Sequence, residues 1–260
     1  MSIQKPFKRT CRQLLDGSYS SNGNWMYLIH KDFAQDPQHY IRAFMIIQKD
    51  LINLFEYIEP CDQNLETISF RTHELLMRVC IELEANFTAI LRENIFSKTG
   101  NLNISDYKVI NKTHRLSSYK VSLPIWKGDR KVRSPFKDWE NDASLKWYQA
   151  YNKAKHDRHE NFDKATFDNL LDAVGGLIIL LSSQFNTEDY SPNEKSLSIG
   201  ADYSYDSDDG METGIGGYFR VLFPTDWPEE DRYLFDWSHE LINQPNAIDQ
   251  INYDILLKEK

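Results

Sequence analysis

Ile68, Leu75, Leu76, Val79, Leu83, Phe87, Ile90 and Leu91 recur at helical spacings, so residues 66–93 predict one long helix with a continuous apolar stripe. Such a stripe has to be covered, and three further segments carry matching ones. Residues 37–59 open at Pro37 and place Tyr40, Phe44, Ile47, Leu51, Leu54, Phe55 and Ile58 on one face. Residues 142–159 carry Leu145, Tyr148 and Tyr151. Residues 163–185 carry Phe167, Leu170, Leu171, Val174, Leu177, Ile178 and Leu181, with Asp163 as an N-cap or a first-turn anion. The four segments predict a mainly α chain built on one antiparallel four-helix bundle, with Leu83 and Leu177 in its core.

The connecting segments are less regular. Residues 5–15 read as a short helix, and 16–24 as a loop by their Gly, Ser and Asn content. Residues 105–116 read as another short helical stretch. Residues 120–126 are β-like but contain Pro124, which confines them to an edge strand. Gly128 and Asp129 give a turn, and residues 131–136 a return strand. The result is a basic β-hairpin, residues 117–141, inserted into a helical domain spanning 1–185. Gly175 and Gly176 imply close approach of another backbone to the last helix. Residues 186–217, rich in Ser, Asp, Gly and Tyr, read as a linker or mobile loop. Residues 218–260 read as a small acidic α/β extension.

The formal net charge of −9 is unevenly spread. Residues 108–159 hold 13 Lys and Arg against 5 Asp and Glu, whereas residues 186–260 hold 5 against 17. A basic middle suits a polyanion or the chain's own acidic tail. If the tail competes for that surface, deleting it strengthens binding of the polyanion, with a steeper salt dependence. With 14 Tyr, 14 Phe and 6 Trp the composition argues against disorder. No apolar run reaches the roughly 18–20 residues of a membrane span. No apolar core follows the basic N-terminus, so no secretory leader is expected. Three scattered cysteines, an odd number, suit a reducing compartment. A cytoplasmic protein without a membrane partner or cofactor is expected.

Residues 147–158, WYQAYNKAKHDR, carry the most distinctive chemistry. Asn152 and His156 are i and i+4, and Tyr148 lies one turn earlier on the same face. Lys153, Lys155 and Arg158 surround them with positive charge. Histidine exchanges protons near neutrality and asparagine both donates and accepts. That combination suits proton transfer on a phosphodiester; it equally suits a histidine packed between helices. On the preceding helix, Glu82, Glu84 and Asn86 are available to face the motif, with Glu82 and Asn86 favoured because they extend the Glu74–Arg78 row. His156 and His159 are i and i+3 but have no cysteine neighbour, so no metal site is expected. In the hairpin, Lys120, Lys127, Arg130, Lys131 and Arg133 beside Trp126 form the pattern of a nucleic-acid surface, cations for phosphates and rings for bases. The alternative there is an exposed hairpin whose aromatics pack on the bundle.

Asn152-Lys153-Ala154-Lys155-His156, on the penultimate of four helices, resembles the HEPN superfamily (higher eukaryotes and prokaryotes nucleotide-binding). The resemblance covers the helix pattern of about residues 37–185 and a few motif residues. It implies an HEPN-like bundle and a metal-independent ribonuclease whose two protomers join their motifs across a homodimer. Active members carry Arg, a polar residue, three residues and His. Carried over, Asn152 and His156 take the polar and His positions, and Tyr151 stands at the Arg position. Catalytic roles are thereby implied for His156, Asn152 and Tyr151, with Glu82, Asn86, Lys155 and Arg158 in support. The family's usual settings are phage defence and toxins paired with an antitoxin partner. Tyrosine supplies no cation, so two readings remain: a weak ribonuclease or RNA binder, and a non-catalytic scaffold for dimerisation or partner binding.

Overall fold

The computed structural model describes residues 1–190, 197, 209–237 and 239–258, about half of the chain being helical. Helix α1, Pro37–Phe55, starts on the proline and buries Ile41, Phe44, Leu51 and Leu54. Helix α2, Phe70–Glu93, starts later than its apolar pattern, because Ser69 and Thr72 form a reciprocal cap. The short α3, Ile104–Tyr107, and α4, Ile110–His114, follow. Helix α5, Lys146–His156, is shorter than expected: Asp157 leaves the helical region and its side chain caps α6, Arg158–Asn161. Helix α7, Phe167–Phe185, is capped by Thr166, not by Asp163, which is paired with Lys164 instead.

Every residue of α7 except Asp172 is buried, so this helix is the axis of the fold. It packs against α2, α5 and α1, and α2 packs against α1 and α5. Leu83 and Leu177 are fully buried, as their spacing predicts. Among the described residues no helix is long and apolar enough to cross a membrane.

A four-stranded antiparallel sheet lies against α7. Its strands are β1, Lys120–Ser122, β2, Val132–Arg133, β3, Glu212–Thr213, and β4, Arg220–Leu222, in the order β2-β1-β4-β3. The hairpin is present, with Val121 opposite Arg133. However, β1 is an interior strand, because Val121 also pairs with Val221 of β4. Pro124 falls just beyond β1 and removes no ladder hydrogen bond. Gly175 admits the sheet: a Cβ there would stand 2.8 Å from Val121 Cγ1. What approaches Gly175 and Gly176 is therefore side chains, of Val121, Pro135, Phe136 and Trp147, rather than another backbone.

Residues 218–260 are not an appendage. Phe219, Val221, Phe223, Tyr233, Ile251 and Tyr253 belong to the same buried cluster as the helices, and Trp227 is buried as well. Most of the expected linker, residues 191–196 and 198–208, lies outside the described residues. Residues 5–15 are not helical. Their backbone pairs with distant segments instead: Tyr233 bridges both Ile3 and Leu14, and Cys11 N donates to Ser183 O at 2.9 Å. These long-range partners outcompete a helix too short to stand alone.

This threading buries Arg9 and His114. Arg9 Nε reaches Glu93 Oε1 at 2.6 Å, and its guanidinium donates to Gln184 Oε1 at 2.9 Å. His114 Nε2 donates to Arg9 O at 2.8 Å, so its Nδ1 accepts from Thr113 Oγ1, also at 2.8 Å. Burial, with the nearby Arg12 charge, holds the imidazole pKa down from 6.5 to about 3. The unfolded chain therefore binds a proton below pH 6.5 that the folded chain refuses. Through this group stability is unaffected above pH 6.5 and falls by about 1.4 kcal/mol per pH unit on acidification below it. Urea midpoints at pH 7 and pH 5 should differ accordingly, and His114→Gln should remove this part of the slope. An unchanged slope in that variant would assign the acid sensitivity to other groups.

Candidate functional site

Helix α5 buries Trp147, Tyr148, Ala150, Tyr151 and Ala154, and Trp147 Nε1 donates to Pro135 O at 2.9 Å. Tyr148, at the edge of that packing, and Asn152, Lys155 and His156 beside it line a groove of about 1330 Å³. The facing wall is α2, through Ile81, Glu84, Ala85 and Thr88, and residues 100–105 close the third side. Ala85 and Ala89, one turn apart on α2, are small enough to leave the groove open.

One chain of polar contacts crosses from α5 to α2. Tyr148 Oη donates to Glu84 Oε1 at 2.8 Å, and Lys155 Nζ donates to Tyr151 Oη at 2.9 Å. Lys155 also stands 3.9 Å from Glu84 Oε2. Burial, reinforced by the Glu84 carboxylate, pushes the Tyr148 pKa up; burial does the same to Tyr151. The Tyr151 hydroxyl and the Glu84 charge raise the Lys155 pKa. At neutral pH both phenols are protonated and the lysine is charged.

The expected constellation is assembled in part. Asn152, half-buried, and His156, exposed in the last turn, both line the groove with Lys155. Tyr151 does not: it is 1% exposed and lies in the interface with its hydroxyl toward Lys155. Arg158 lies past the break at Asp157, where its charge, after burial, lowers the pKa of His73. Neither Glu82 nor Asn86 faces the motif. Glu82 does not line the groove; burial raises its pKa while the charges of His39 and Arg78 oppose the shift. Asn86 is fully buried toward α7 and accepts from Gln184 Nε2 at 3.4 Å. Two residues are about 200° of helix, so the carboxylate between them, Glu84, is the one that meets α5.

In the basic hairpin, most of the residues expected to meet nucleic acid are buried or paired with carboxylates. Trp126 is buried, with Nε1 on Asp62 Oδ1 at 2.7 Å, and Phe136 and Trp139 are core residues. Lys127 pairs with Glu59 at 2.5 Å and Arg130 with Asp168 at 3.3 Å. Arg133 is buried between Asp168 and Asp172, at 2.9 and 2.8 Å. Lys120 and Lys131 are exposed. Composition counts these cations but not the carboxylates that folding brings to them. Among the described residues no group of three or more His, Cys, Asp or Glu is placed to hold a metal ion.

Comparison with protein-family models, with curated proteins and with solved structures gives no match to this chain.

Proposed function

We propose that the chain is an RNA-acting protein of the HEPN type, with α1, α2, α5 and α7 as its antiparallel four-helix bundle and the α2–α5 groove as its RNA site. The observation that carries this reading is the shared placement of Asn152, Lys155 and His156 along one wall of that groove. His156, exposed at the rim, takes the proton of a ribose 2′-hydroxyl. The 2′ oxygen bonds to phosphorus as the P–O5′ bond breaks, and the leaving oxygen is protonated. The products are a 2′,3′-cyclic phosphate and a 5′-hydroxyl, with no metal required. Asn152 orients the phosphate. A homodimer joining two such grooves, and a toxin or phage-defence setting with a protein antitoxin, follow by analogy with the family alone.

Tyr151 gives no cation at the Arg position, and losing one such donor lowers rates by about 10²–10³. Cleavage should therefore be slow. The burial of Tyr151 specifically favours the second reading, a non-catalytic scaffold of the same fold. Incubation with mixed-sequence RNA in excess chelator separates the two. The enzyme reading expects cyclic-phosphate ends from the wild type and none from His156→Ala. Equal cleavage by a folded His156→Ala protein, or none by either, would exclude His156 as the acid–base group.

A further inference from the structure

Lys155 occupies the last turn of α5, between Asn152 and His156 in sequence and on the same groove wall. A lysine at a helix end ordinarily samples many rotamers around a hydrated charge. Here the ammonium donates to Tyr151 Oη at 2.9 Å and lies 5.0 Å from the centre of that ring. Tyr151 is itself fixed. Its ring is buried, with the Tyr148 ring centred 5.5 Å away, and Tyr148 is bonded to Glu84 across the helix interface. The tether is thus anchored in the core, while the Lys155 side chain keeps 46% of its surface open.

An ammonium has three N–H donors. Tyr151 takes one, and Glu84 at 3.9 Å is beyond hydrogen-bond length. Donors therefore remain for a ligand in the groove. Arg92, the other permanently charged cation on the groove wall, directs its guanidinium to Lys98 O at 2.6 Å and Gly100 O at 3.2 Å.

We infer that Lys155 is the cation that contacts the phosphate of single-stranded RNA in this groove, and that Tyr151 is its positioning residue. The inference rests on the RNA reading above and names the group that supplies its charge. A pre-anchored ammonium beside His156 offsets negative charge at the phosphate without having to be ordered when the strand arrives. Tyrosine at position 151 is then the holder of the site's cation.

The test is fluorescence anisotropy of a labelled single-stranded RNA at several salt concentrations, using the full chain. Lys155→Ala should weaken binding about tenfold, as for one lost charged hydrogen bond. It should also lower the salt slope by about 0.7. Lys155→Arg should keep the slope. Tyr151→Phe retains ring and charge but loses the tether, so affinity should fall several-fold at unchanged slope. That loss should vanish in the Lys155→Ala background. If the wild type binds RNA but Lys155→Ala leaves the slope unchanged, the inference is overturned while the RNA reading stands. If Tyr151→Phe weakens binding equally with and without Lys155, Tyr151 acts only by packing and its positioning role is overturned. A folded wild type that binds no RNA ends the RNA reading and this inference with it.

Discussion

A chain that stops at Phe185 should fail to fold, rather than become a tighter RNA binder. The segment beyond it contributes β3 and β4, which complete the sheet on β1, and it buries Phe219, Val221, Phe223, Trp227, Tyr233, Ile251 and Tyr253. Each such side chain stabilises the folded state by about 1.5–3 kcal/mol. A handful of them matches the whole net stability of a domain, about 5–15 kcal/mol. The segment also holds residues 3–15 in place: Tyr233 N donates to Gln13 O at 3.0 Å, and Tyr233 Oη donates to Thr10 O at 2.8 Å. Without it the N-terminal strap, the sheet and one side of α7 lose their cover together. Circular dichroism and urea titration of the truncated chain should show no cooperative transition. A sharp transition near that of the full chain would mean that residues 1–185 fold alone, and would restore competition by the acidic tail as an explanation of the charge asymmetry.

Replacing Arg133 by leucine should destabilise the protein by about 3–5 kcal/mol, the effect of leaving buried charge without its partner. The Arg133 side chain is 4% exposed and bonds to Asp168, 7% exposed, and to Asp172, 19% exposed. Burial pushes the Asp168 carboxyl up, but the hydrogen bond and charge of Arg133, with Arg130 and Lys146, hold it below the usual range. Burial raises the Asp172 pKa despite the same arginine. After Arg133→Leu nothing of comparable burial offsets either group. Adding Asp168→Asn and Asp172→Asn should recover much of the loss, because the uncompensated charges are then gone. Urea midpoints of the single and triple variants provide the measurement. A single variant as stable as the wild type but weaker in RNA binding would return Arg133 to the nucleic-acid surface that its sequence context suggested.

The helices were legible because their signal is local. Val79, Leu83 and Phe87, or Leu170, Val174 and Leu177, identify their buried face by spacing alone, whatever they pack against. Helix ends were less legible, since Ser69, Thr166 and Asp157 act through single hydrogen bonds that compete with equally plausible neighbours such as Asp163. The groove face of α5 could be read from Tyr148, Asn152 and His156. Its partner on α2 could not: Glu84 lies about 200° around the helix from both Glu82 and Asn86, and only the rotation of α2 against α5 and α7 selects Glu84.

The sequence by itself determined four long amphipathic segments, the α7 core stripe, the hairpin turn at Gly128, and the common face of Asn152 and His156. All of these depend on residues within a few turns of one another. Tertiary structure alone decided that β1 is an interior strand, that residues 3–15 are a strap rather than a helix, and that the C-terminal segment belongs to the core. It also decided that most of the basic hairpin is neutralised and that Tyr151 holds Lys155. Strand partners and ion pairs join residues up to hundreds of positions apart, and nothing in the local pattern of either partner specifies which one it will meet. Burial adds the second reason: the same arginine is a phosphate ligand in water and a structural ion when two carboxylates surround it, and the chain's composition is identical in both cases.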